Sequence, residues 1–214
     1  MHRRFVGRLA STLAIALVAF QSPWPVRAEG VAGLVNTDVI TYSQIRELAG
    51  EKEKAAANQL KGEELVNKIK EIRLASINEL MDRALILQEF KRRGSHILED
   101  LVDQRIATII REKFGGDREA FLRNLTAQGY SLDRFRQLER DKIIVTEMRR
   151  EVIAGKIKIS ETQISDYYRQ YYASGKSLKE VDDEIEKTLI QNESKRLQED
   201  WIKELRKGAY IKIY

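Results

Sequence analysis

Cysteine is absent from this 214-residue chain. No disulfide can brace it, and no thiolate is available as a nucleophile or zinc ligand, so stability must come from its core. Histidine occurs only at His2 and His96. His96 follows a glycine in "GSHIL" and reads as a surface or capping residue, with no nucleophile in an identifiable arrangement beside it. Proline occurs only at Pro23 and Pro25, so the helices downstream carry no proline kinks and slow isomerisation cannot limit their folding. No phosphate-binding glycine motif occurs. Lysine and arginine form no clustered stripe, which argues against nucleic acid as a partner. Aromatics are few, at 7% against 33% charged residues, a balance that favours long solvated helices over a β-sandwich.

Against those absences stands a clear N-terminal pattern. Arg3, Arg4 and Arg8 precede an uncharged, mostly apolar run from Leu9 to Phe20, which Pro23 and Pro25 break. Val26-Arg27-Ala28 satisfies the small-residue cleavage rule. Residues 1–28 are therefore expected to be a secretory signal peptide. The run is shorter than the ~20 residues that span a bilayer, which weighs against an uncleaved anchor. Cleavage after Ala28 removes four arginines and no acids, taking the formal charge from +5 to +1. The basic character is thus mostly a property of the leader. With no cysteine at the cleavage site, lipid anchoring there is not expected.

Residues 29–214 read as a single, mainly α domain with a small β-sheet. "VAGLVNTDVI" suggests two short strands around Asn36-Thr37-Asp38. Thr41 and Gln44 have capping-box spacing, placing a helix from Thr41 to about Leu60. Between Glu63 and Arg93, Val66, Ile69, Ile72, Ile77, Leu80, Met81, Ala84 and Leu87 recur at three- and four-residue steps with one slip, the pattern of a core-facing helix stopped by Gly94. Helices follow over 98–114, from the Asp117 cap to Gly129, and from the Ser131 cap to Gly155. "KIKIS" (156–160) reads as briefly extended. Ser160 and Gln163 cap a helix containing "DYYRQYY", and "ASGKS" is a loop. A last helix runs from near Ser177 to Gly208, roughly 45 Å at 1.5 Å per residue. "AYIKIY" then alternates like a strand. Its backbone needs a partner, and residues 31–40 are the best available, with 156–160 as a possible third member of the sheet.

The order of these pieces resembles the chaperone core of the SurA family of exported chaperones. "LVNTDVITYSQI" resembles that family's opening strand–turn–strand and capped helix. "LMDRALILQEFKRRG" resembles its long second helix, and residues 97–152 its next three helices. "WIKELRKGAYIKIY" resembles the closing helix and strand. Relatives usually carry parvulin-type prolyl isomerase domains ahead of the closing helix, built around a histidine pair. Here only "ASGKS" occupies that place, so the resemblance implies no isomerase activity and no enzyme. It implies instead an ATP-independent holdase, needing no cofactor, that binds unfolded or partly folded exported and outer-membrane proteins in the periplasm. A non-catalytic scaffold for one envelope partner is the alternative.

The most unusual local feature is the run of tyrosines. Tyr167 and Tyr171 share one helix face, as do Tyr168 and Tyr172. Four hydroxyls cannot all be deeply buried without partners. The rings either pack on the core with their hydroxyls at its rim or form a client-contacting aromatic surface, since tyrosine offers broad contact at low entropic cost. Met148 is a further client-binding candidate because of its flexibility, although its stripe position favours the core.

Overall fold

The computed structural model describes residues 30–172, 175 and 177–214. The expected signal peptide lies outside the described residues. Strand β1 (Val31–Val35) turns at Asn36 into β2 (Asp38–Thr41). Asn36 takes a left-handed φ of 54°, which its side chain tolerates. Helices follow as α1 (Tyr42–Gln59), α2 (Gly62–Arg92), α3 (Glu99–Phe114), α4 (Arg118–Ala127), α5 (Leu132–Ile153), α6 (Glu161–Tyr171) and α7 (Leu178–Lys207). Strand β3 (Ile211–Ile213) closes the series.

Helix starts follow from local chemistry. At α1 the Gln44 backbone N–H donates to Thr41 Oγ1 (3.3 Å) while the Thr41 N–H donates to Gln44 Oε1 (2.8 Å). Ser160 and Gln163 repeat this at α6. At α4 the Ala120 N–H donates to Asp117 Oδ1 (2.9 Å), and at α5 the Arg134 N–H donates to Ser131 Oγ (3.1 Å). Each cap satisfies donors that have no partner in the first turn. Gly115, at φ 60°, ends α3 in a left-handed conformation that a Cβ would disfavour.

The sheet is antiparallel, ordered β2-β1-β3. Val35 lies opposite Ile211, Leu34 opposite Lys212 and Gly33 opposite Ile213, so the closing strand pairs with the segment expected of it. Residues 156–160 form no strand. They run from the Gly155 turn directly to the Ser160 cap.

Three apolar clusters hold these elements together. Ala32, Val35 and Ile40 of the sheet pack with Ile45 of α1 and with Ile77, Met81, Ala84 and Leu85 of α2. Val102, Ile106, Ile110, Phe121 and Leu125 join α3 and α4, with Phe135 of α5 against them. Phe121 meets Phe114 and Phe135 edge-on at centroid distances of 5.5 and 5.4 Å, a favoured aromatic geometry. Ile86, Ile144, Val145 and Met148 join α2 to α5, and Trp201, Ile202 and Leu205 of α7 rest on them. Leu205 touches the sheet cluster as well. The end of α7 is thereby fastened beside the strand it leads into, and Arg206 Nε donates to Asp82 Oδ1 of α2 at 2.6 Å.

Candidate functional site

Among the described residues, two regions that leave apolar and aromatic groups open to a partner stand out. The first is α6. This helix lies along the first half of α7, where Val181 and Ile185 are buried. The rings of Tyr167 and Tyr171 lie 4.5 Å apart at 42°, and Tyr172 stands 6.4 Å from Tyr167. The Tyr172 hydroxyl donates to Glu184 Oε1 of α7 (3.0 Å), and that bond raises its pKa above the ordinary tyrosine value. Tyr167, Tyr168 and Tyr172 are half-buried, whereas Tyr171 is 60% exposed. The four side chains therefore divide their work. Tyr172 fastens α6 to α7, Tyr167 and Tyr168 lie partly under cover, and Tyr171 presents its ring to solvent against the support of Tyr167.

Met148 belongs elsewhere. It is 3% exposed and packs among Ile86, Ile144 and Val145. As a surface contact it is corrected: its position on the stripe of α5 that faces α2 places it in the core. The structure does not bring it together with the tyrosines.

The second region is an open groove of about 680 Å³ between the end of α2, the end of α5 and the second half of α7. Val152, Leu197 and Trp201 form its apolar floor, and Arg93, Glu151, Lys156 and Glu204 stand among the charges around it. Arg93 ties two walls together. It donates to Glu89 of its own helix (2.8 Å) and to Glu151 of α5 (2.9 Å). Hydrogen bonds from Arg92 first, and then Arg93, hold the Glu89 carboxyl down to about 2. Residue patterns alone did not bring Val152 and Trp201 to one groove. The signal available was Trp201, the one tryptophan after residue 29, on a stripe otherwise composed of aliphatics.

Buried charge lies apart from both regions. Glu139 is 2% exposed and accepts from Arg105 Nε (3.2 Å) and Lys142 Nζ (2.6 Å). This pairing offsets the cost of burying a carboxylate. Among the described residues no group of three or more metal-ligating side chains is placed to hold an ion. No helix among them is long and apolar enough to cross a membrane.

The sequence that builds most of this helical body matches a known family. The model of the SurA-like N-terminal domain matches residues 5–149, and the chain belongs to that family. Helices α6 and α7 and strand β3 lie outside the matched residues. Among individual relatives, Chaperone SurA of Pseudoalteromonas translucida is 25% identical over 173 residues, covering 81% of this chain and 39% of that protein. Foldase protein PrsA of Clostridium kluyveri is 26% identical over 186 residues, covering 76% of this chain and 54% of that protein. The chain thus spans about half, or less, of the length of these relatives.

Proposed function

We propose that this chain is an ATP-independent holdase, exported to the periplasm, that captures unfolded or partly folded polypeptides, outer-membrane proteins among them, and catalyses no reaction. One observation carries the reading: a chain of the SurA-like family keeps a supported aromatic ring, Tyr171, at its surface. Reversible contact at several such places would bind unfolded chains and delay their aggregation by mass action. Tyrosine suits this use because one rigid ring makes both apolar and polar contacts. The absence of isomerase activity rests on sequence spacing. Tyr172 to Ser177 is all that separates α6 from α7, too little for an inserted catalytic domain.

The test is suppression of aggregation. The purified protein, without ATP, should slow the aggregation of several unrelated unfolded clients at near-stoichiometric ratios. Tyr171→Ala should weaken that effect. Recovery of a single stoichiometric partner, with no protection of unrelated clients, would favour the scaffold instead. Fold alone does not decide between them.

A further inference from the structure

Among the described residues, strand β3 has a partner on one side only. The Asn36 N–H donates to the Tyr210 carbonyl (2.8 Å), and the Tyr214 N–H donates to the Ala32 carbonyl (3.0 Å). Antiparallel pairing alternates bonded and non-bonded residue pairs, so Lys212 shares its backbone bonds with Leu34. The N–H and C=O groups of Ile211 and Ile213 then point away from β1. No described residue bonds them. Around this open edge Tyr210 is 61% exposed, Ile213 48% and Tyr214 57%. Lys212, at the centre, holds its Nζ 4.6 Å from the centroid of the Tyr214 ring and pairs with no carboxylate among the described residues.

We infer that the open edge of β3 is a capture site for extended segments of client polypeptide, added as a further strand, with an acidic residue opposite Lys212. This rests on the capture function proposed above and names one place and one chemistry for it. Strand addition draws affinity from main-chain bonds and selectivity from alternate side chains. A client residue facing Lys212 lies on the same sheet face, so a carboxylate there meets an ammonium that no described carboxylate pairs. Its immediate neighbours face Ile211 and Ile213, where β-branched or aromatic side chains fit.

The same lysine decides against a second copy of the chain. In antiparallel self-pairing, the register that uses both Ile211 and Ile213 sets each against the other's counterpart. Lys212 then stands directly opposite the partner copy's Lys212, at a non-bonded position where side chains are closest. Like charges so placed oppose pairing, and lysine on an edge is a common guard against it. An acid-bearing strand gains from the charge that a second copy would suffer.

The experiment uses the full chain and a seven-residue peptide, Thr-Tyr-Val-Glu-Val-Tyr-Thr, with a counterpart carrying Lys at the centre. On adding the first peptide, the amides of Ile211 and Ile213 should gain protection from hydrogen exchange. The Glu peptide should bind about two- to fivefold more tightly than the Lys peptide, the range of a cross-strand charge pair. Lys212→Glu, an exposed change that leaves the core intact, should reverse the preference. Methylating the peptide nitrogens that face β3 should abolish binding. Absence of binding, unchanged Ile211 and Ile213 amides, or indifference to Lys212→Glu overturns the inference. Protection that appears without peptide and grows with protein concentration does so too, in favour of self-pairing. If unrelated clients are still protected from aggregation in those cases, capture stands and only the edge fails. If no client is protected, the holdase reading itself falls.

Discussion

Asn36 and Gln88 show how much of this structure depends on single polar side chains. Gln88 of α2 donates from Nε2 to the Val35 carbonyl (3.1 Å) and to Asp38 Oδ2 (2.8 Å), and accepts from Asn36 Nδ2 (2.6 Å). Asn36 Oδ1 also accepts from the Tyr210 N–H (2.8 Å). One glutamine thus holds the β1–β2 turn on α2, and the turn holds the start of β3. Gln88→Ala should cost about 1–3 kcal/mol, because it leaves partly buried groups without partners. Urea unfolding measures this, and a loss below a few tenths would show that water replaces the bonds. Gly33 is a second such position. A Cβ there would lie 2.6 Å from Met81 Cε and 3.0 Å from the Lys212 carbonyl. Gly33→Ala should therefore destabilise by roughly 1–3 kcal/mol, the scale of overpacking. Glu89 gives a pH signature. Its carboxyl titrates at about 2 in the folded protein against an ordinary 4.5. Its contribution is complete above pH 4.5 and declines as pH falls toward 2, because only the unfolded state takes up the proton in that window. Glu89→Gln should flatten the acid limb of a stability–pH curve between those values. An unchanged limb would mean that the Arg92 and Arg93 contacts do not persist in solution.

At the scale of elements, β3 and α6 make opposite demands. Strand β3 is short, yet Ile211 packs on the sheet cluster and Leu205 links that cluster to the one beneath Trp201. Deleting residues 209–214 should lower the thermal midpoint clearly, expose the Val35 amide to exchange and shift Trp201 fluorescence. A truncated protein with an unaltered melting curve and a still-protected Val35 would contradict this pairing. Helix α6 should behave differently under mutation. Tyr171→Ala removes an exposed ring and one aromatic contact, so stability should fall by about 0.5–1.5 kcal/mol while protection of clients falls further. A large loss of stability would instead mark Tyr171 as structural. Tyr172→Phe, which deletes only the bond to Glu184, separates the anchoring of α6 from its surface chemistry.

The described residues form long helices held together by three apolar clusters. Helix α7 reaches from the α6 tyrosines to the sheet, and its second half lies on α2 and α5. Two shallow apolar surfaces and an open strand edge along such a body suit weak contact with extended chains at several points. The holdase reading carries two predictions at this scale. A preparation free of host isomerases should not accelerate proline-peptide isomerisation above background, and catalysis well above it would overturn the non-enzymatic reading. N-terminal sequencing of the exported protein should begin near Glu29. Retention of Met1 would revive the anchor.

Local signals read directly from residues proved to be those of local physics. Thr41 with Gln44, Ser160 with Gln163, Asp117, Ser131 and Gly115 place helix ends because their partners are three or four residues away. The pairing of the two ends was also legible, because few segments of the chain alternate like strands and their backbone groups need one another. Residues 156–160 alternate too, and mislead, because alternation does not say whether the fold brings a segment beside a sheet edge. Met148 was ambiguous for a related reason: flexibility suits either a surface or a gap in a core, and only the approach of α2 and α7 to α5 settles which. Gln88, the Arg206–Asp82 pair and the groove beneath Trp201 left no mark in the sequence. Each joins residues from elements far apart in the chain, and a glutamine on a helix surface looks the same whether or not a turn is going to land on it. Composition and capping chemistry determined the elements and their order. Only tertiary packing decided which of their side chains remain exposed, because exposure depends on what the rest of the chain has covered.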